Sequence, residues 1–227
     1  MTDIAVIDYG MGNLHSVSKK VELAAPGLKV TVTSDPAVVA AAARVVFPGQ
    51  GAMPDCMRAL DARGLREAVL EAACSKPFLG ICIGLQMLFE KSEEGDTAVL
   101  GVFAGRVRRF AAAQMVDARG ARLKVPHMGW NRVRQCVAHP LWQGIPDQSW
   151  FYFVHSYYVE TVEPGLVAGT AEYPFAFTCA VARDNVFATQ FHPEKSDAAG
   201  LALLANFARW QPPSFLKRPQ RQAAGVS

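Results

Sequence analysis

Residues Phe78–Glu90 read FLGICIGLQMLFE. The first apolar residues read as the end of a buried strand, and Leu85, Leu88 and Phe89 then recur at helical spacing. Between them sits Gly80-Ile81-Cys82-Ile83-Gly84, a lone cysteine bracketed by two glycines. A G-x-C-x-G turn from strand to helix has the geometry of a nucleophile elbow. The glycines lack Cβ, so the chain can turn sharply and neighbouring strands can approach. The thiol then projects from the C-terminal edge of a sheet at the start of a helix, where the dipole and free N–H groups favour thiolate. The N–H of Ile83, first after the cysteine, is placed to bond an oxyanion. Read alone, the pentapeptide also fits a buried structural cysteine at a glycine-rich turn.

Working outward, strands and helices alternate through the first half of the chain. Asp3–Asp8 (DIAVID) is a short apolar strand followed by the turn Tyr9–Gly12, and Leu14, Val17, Val21 and Ala24 follow at helical spacing. Leu28–Thr33 is β-branched, Asp35-Pro36 opens a short helix, and Arg44–Phe47 is a strand closed by Pro48-Gly49-Gln50-Gly51. Helical residues run to about Cys74, and Pro77–Ile81 is the fourth strand. This alternation predicts a doubly wound parallel sheet. After about Ala104 the pattern changes to strand candidates at 106–110, 123–125, 131–135, 150–154, 167–170, 177–183 and 186–191. These predict antiparallel additions, so the whole is an α/β fold with a mixed, mostly parallel central sheet. A last helix is expected over 198–210 with Leu201, Leu204, Phe207 and Ala208 buried, stopped by Pro212-Pro213.

Composition narrows the class. The chain has 227 residues, 51% hydrophobic and 19% charged, enough for one α/β domain with a full core. It contains no apolar run long enough for a membrane span, and MTDIAVIDYG lacks a basic leader, so a cytoplasmic protein is expected. The formal charge of +3 resides in the tail, whose Lys217, Arg218 and Arg221 have no acid beside them. Without those three, the 23 basic residues fall to the same 20 as the acidic ones, which argues against nucleic-acid binding. One domain over 1–211 and a basic, poorly ordered tail over 212–227 are expected. The 5 cysteines are spread widely with no CxxC pair, which argues against a disulfide framework and a zinc site. Cys56, Cys74, Cys136 and Cys179 read as small hydrophobes. No metal and no cofactor is expected.

A thiol acyl-transfer enzyme needs an imidazole oriented by a further group. His15 and His139 read as ordinary surface or loop residues, and His127 and His155 fit packed core histidines. His192 follows the strand VFATQF and begins His192-Pro193-Glu194. In an extended segment residues i and i+2 face the same side, and Pro193 holds its predecessor extended. Glu194 is thus expected to accept from one nitrogen of His192 while the other faces Cys82. The tripeptide alone also fits a surface turn.

GICIGLQ (80–86), FHPEKS (191–196) and PGQG (48–51), in this order, resemble the class I (triad) glutamine amidotransferases across nearly the whole chain. The resemblance implies their flavodoxin-like fold. DYGMGNLHSV (8–17), VPHMGWN (125–131) and FYFVHSYYV (151–159) further resemble one branch, the glutaminase subunits of imidazole glycerol phosphate synthases.

The resemblance implies a triad of Cys82, His192 and Glu194 that hydrolyses glutamine through a γ-glutamyl thioester. It implies an oxyanion hole from the backbone of Ile83 and of the loop carrying Gly49, Gln50 and Gly51. It places Gln86, Glu94, Ser156 and Tyr157 at the substrate, with Glu94 as acceptor of its ammonium group. It implies a heterodimer with a separate (βα)8-barrel cyclase, which takes up the ammonia to make imidazole glycerol phosphate and AICAR in histidine biosynthesis. Asn13, Trp130, Tyr152 and Lys195 are then the interface candidates. Two positions depart from the pattern: Gln50 stands where a small apolar residue is expected, and Ile83 replaces leucine. Neither removes a reacting group. The rivals are the amidotransferase components of anthranilate or aminodeoxychorismate synthase, a cysteine peptidase or thioesterase, and a redox-sensing module built on Cys82.

Overall fold

The computed structural model describes residues 2–117 and 120–212. Beyond Pro212 the basic tail lies outside the described residues. The N-terminal half follows the expected alternation. It comprises β1 (Ile4–Ile7), α1 (Leu14–Ala24), β2 (Val30–Thr33), α2 (Pro36–Ala41), β3 (Arg44–Gly49), α3 (Met53–Ala62), α4 (Arg66–Ser75), β4 (Phe78–Cys82) and α5 (Ile83–Gln86). Caps explain two helix starts: Asn13 accepts from Ser16 N at α1, and Asp35 accepts from Ala37 N at α2, with Pro36 in the first turn.

The second half carries short β5 (Lys91–Ser92) and β6 (Thr97–Ala98), then β7 (Gly105–Arg109), β8 (His127–Gln135), β9 (Ser149–His155), β10 (Tyr157–Thr161), β11 (Val167–Glu172), β12 (Ala176–Arg183), β13 (Val186–Thr189) and α6 (Asp197–Arg209). The sheet runs β2-β1-β3-β4-β13-β12-β10-β7-β5-β6, with β11, β8 and β9 branching from β12. β2, β1, β3, β4 and β13 are mutually parallel, and β12, β10 and β7 continue antiparallel. Helix α1 packs on α6, and α2 packs on α4. Right-handed crossovers place those pairs on opposite faces. β1, β3, β4 and β13 are buried along their whole length, as parallel strands covered on both faces must be. No helix among the described residues is long and apolar enough to cross a membrane.

Several expectations are corrected. The helix after Cys82 stops at Gln86, and Leu88 and Phe89 are buried from turns rather than from a helical face. The helical stretch 53–74 is two helices, broken where Gly64 takes φ +63°. Residues 123–125 form no strand; only an isolated bridge, Val116 with Arg122, lies nearby. β10 is a strand beyond those expected, because its YYVET alternates too weakly to separate it from β9. In α6, Leu203 takes the core position expected of Leu201, which is half-buried.

Candidate active site

The carboxyl ends of β3 and β4 lie side by side, with Gly49 in register with Cys82, and the chain leaving β13 brings His192 to the same edge. That edge is where open parallel sheets place their chemistry. Cys82 takes φ +56° and ψ −110°, a conformation disfavoured for any residue with a Cβ, and its side chain is buried. Such a conformation costs about 1–3 kcal/mol and persists only where the surroundings impose it. Gly84 shows how: a Cβ there would overlap the Phe47 carbonyl of β3, so only glycine lets the turn close against the neighbouring strand.

His192 Nδ1 lies 2.8 Å from Glu194 Oε1, and both side chains are buried. The route differs from expectation. His192 is extended (φ −100°, ψ 96°), but Pro193–Lys195 fold as a 3-10 turn in which Lys195 N donates to the His192 carbonyl. The pairing survives because Ser196 Oγ donates to the same carbonyl and pins the loop. Burial would lower the His192 pKa; the neighbouring Cys82, and then Glu194, override it and raise it to about 10. His192 Nε2 has no hydrogen-bond partner among the described residues, so it is the ring nitrogen left for a reacting group.

Behind the cysteine stands a residue that sequence reasoning missed. Gln190 Nε2 donates to Cys82 Sγ at 3.6 Å, and Gln190 Oε1 accepts from Gln86 Nε2 at 2.9 Å. A signal for it exists: Gln190 is the polar residue after the apolar run VFAT, two positions before His192. Gln86 is fully buried, bonded also to the Tyr157 carbonyl, and its Oε1 has no partner among the described residues.

The loop after β3 curls over the site. Gly51 adopts φ +109°, and a Cβ at Gly49 would overlap the Tyr9 hydroxyl and press on Ile83. The Cys56 Sγ donates to the Gln50 carbonyl at 3.5 Å, and burial pushes this thiol up to about 11, keeping it neutral. Beyond the core-filling role expected of it, Cys56 therefore also holds the loop.

The remaining candidates divide. Glu94 Oε2 accepts from Met53 N at 2.8 Å, capping α3, and its carboxylate raises the Tyr157 pKa after burial does. Ser156 accepts from Phe110 N through its carbonyl, and Tyr157 accepts from Gln86 Nε2 through its own, so both backbones are held in place. Of the interface candidates, Asn13 and Lys195 line one small cavity with Pro48, His192 and Glu194. Trp130 lies edge-on to Tyr152 at 6.0 Å, and Lys195 Nζ sits 5.9 Å from the Tyr152 ring centroid. Lys195 thus connects the cavity beside His192 and Glu194 to Tyr152, and through Tyr152 to Trp130, which is 45% exposed.

Comparison with known proteins gives the family. A family model described as glutamine amidotransferase class-I matches residues 5–210, and the chain belongs to that family. Among its relatives, the imidazole glycerol phosphate synthase subunit HisH of Aromatoleum aromaticum is 67% identical over 212 residues, covering 93% of this chain and 100% of the relative. The subunit of the same name from Thiobacillus denitrificans is 65% identical, covering 92% of each chain. In fold, the chain matches a crystal structure of a glutamine amidotransferase with TM-score 0.67, at 15% identity and covering 91% of this chain and 99% of that one. A crystal structure of a glutamine amidotransferase from Thermotoga maritima matches with TM-score 0.56 at 17% identity, covering 85% and 76%.

Proposed function

We propose that this chain is the glutaminase subunit of imidazole glycerol phosphate synthase in histidine biosynthesis, acting through Cys82, His192 and Glu194. The observation that carries the catalytic reading is the strained Cys82 elbow beside a buried imidazole paired with Glu194 at 2.8 Å. The Cys82 thiolate attacks the side-chain carbonyl carbon of glutamine. The oxyanion that forms is bonded by the backbone N–H of Ile83 and of the Gly49–Gly51 loop, donors worth about 10²–10³ in rate each. His192, protonated at Nε2, gives that proton to the departing nitrogen, which leaves as ammonia. Water, losing a proton to His192, then hydrolyses the thioester to glutamate. Glu194 orients the ring and stabilises its cationic form. Gln86, Glu94, Ser156 and Tyr157 line the glutamine, with Glu94 receiving its ammonium group.

The ammonia passes to a separate (βα)8-barrel cyclase docked on the surface bearing Asn13, Trp130, Tyr152 and Lys195. We place the enzyme in the cytoplasm, with residues 1–211 as the catalytic domain and 212–227 as a tail outside it. The test is synthesis by the reconstituted complex. Cys82→Ala should abolish the glutamine-dependent reaction while leaving the ammonia-dependent one. Glutamine-dependent turnover within tenfold of wild type would reject Cys82 as nucleophile.

A further inference from the structure

Two buried histidines lie outside the triad. His127 opens β8, His155 closes β9, and the two are cross-strand partners. His127 Nδ1 lies 2.9 Å from His155 Nε2, His155 Nδ1 lies 2.7 Å from the Tyr157 carbonyl, and Asn131 Nδ2 lies 3.3 Å from His127 Nε2. The rings sit among aromatic side chains: His127 stacks on Tyr173 at 4.0 Å, and Phe110 meets His155 edge-on at 5.3 Å. Burial lowers their pKa values, to about 4 for His127 and about 3 for His155, so both are neutral at ordinary pH.

Neutrality fixes every proton. The Tyr157 carbonyl can only accept, so His155 carries its proton on Nδ1 and accepts at Nε2. His127 must then donate from Nδ1 and accept at Nε2, which the Asn131 amide satisfies. The result is a one-way chain, Asn131 to His127 to His155 to the Tyr157 carbonyl. That carbonyl also accepts from Gln86 Nε2 at 3.2 Å, and Gln86 leads through Gln190 to Cys82. Two phenylalanines would fill this space with less desolvation. What they could not supply is a donor that fixes the Tyr157 peptide.

We propose that His127 and His155 are positioning residues for the glutaminase reaction, acting by holding the Tyr157 carbonyl and with it the Gln86 side of the glutamine site. The proposal rests on the reading that Gln86 and Tyr157 line the substrate. His127→Phe keeps an aromatic ring on Tyr173 but removes the donor; His127→Asn returns an N–H near the Nδ1 position. In the complex with cyclase, His127→Phe should raise KM for glutamine about tenfold, with kcat and ammonia-dependent synthesis within threefold of wild type. His127→Asn should restore KM to within threefold. An unchanged KM in His127→Phe would overturn the proposal, as would equal losses of kcat and ammonia-dependent synthesis in both variants. The wild-type chain offers a measurement free of any folding defect. Its ¹⁵N spectra should show both rings neutral and protonated at Nδ1 from about pH 6 to 8. An Nε2–H tautomer at either ring breaks the chain and overturns the proposal. Failure of the underlying reading would look different: wild type itself would release no glutamate from glutamine.

Discussion

His192 Nδ1 and Glu194 Oε1 lie 2.8 Å apart across a 3-10 turn, and the pair carries a pH dependence whose sign can be worked out. The folded-state pKa of His192 is raised from 6.5 to about 10, against its own burial, by Cys82 and Glu194. A raised histidine pKa contributes stability that is fully present below the unfolded value and is lost as pH rises through the folded one. Melting temperature should therefore fall as pH rises from about 6.5 towards 10, and His192→Asn should flatten that slope. Equal slopes in the two proteins would show that the ion pair contributes nothing to folding.

Glu194→Gln removes one of the two charges that sustain the imidazolium. The high-pH limb of kcat/KM should move to lower pH, and the rate should drop by about 10²-fold or more, less than for His192→Ala. A pH profile superimposable on that of wild type would make Glu194 a bystander.

Gln190 Nε2 is a hydrogen-bond donor to Cys82 Sγ, and Gln190 Oε1 holds Gln86. Gln190→Leu should slow the reaction of Cys82 with iodoacetamide and lower kcat/KM about tenfold. The measurement is the alkylation rate; a rate equal to that of wild type would limit Gln190 to packing.

These residues show where sequence reading ends. The parallel core is legible because β1, β3 and β4 are unbroken apolar runs punctuated by DYG, PGQG and GICIG. The triad is legible because its chemistry sits in two short motifs whose local geometry is almost fixed. Gln190, the His127–His155 chain and the Cys56 contact are not. Each acquires its partner from 6 to 108 residues away in sequence, and a buried histidine or glutamine carries no local mark of what it will meet. The 3-10 turn at Pro193 is hidden for the opposite reason: proline keeps its predecessor extended, but its own φ suits the start of a helical turn equally well.

Trp130 is 45% exposed beside Tyr152, and Met128 on the same face of β8 is 62% exposed. An aromatic anchor of this kind is what interfaces concentrate their affinity on. Trp130→Ala should weaken cyclase binding by about tenfold or more in calorimetry, while glutamate release by the isolated chain stays within twofold of wild type. Unchanged affinity would move the interface off this surface.

The last prediction concerns the lone subunit, which should be a poor glutaminase until it docks. The Pro48–Gly51 loop carries two glycines, one at φ +109°, so a peptide in it can present either its N–H or its C=O to the oxyanion. Docking can favour the N–H-inward form only through contacts that differ between the two states. A gain of about 10³-fold requires about 4 kcal/mol of such bias. Cys56 Sγ holds the Gln50 carbonyl at 3.5 Å and so steadies the loop in the arrangement observed. That bond is worth about 1 kcal/mol, so Cys56→Ala should change the basal rate of the isolated chain by about fivefold, and the direction of the change tells which form of the loop the contact favours. The measurement is steady-state glutamate release by both proteins alone, with cyclase, and with cyclase plus its nucleotide ligand. If wild type works equally fast in all three mixtures, the oxyanion hole is already formed in the free chain, and docking does not switch the loop.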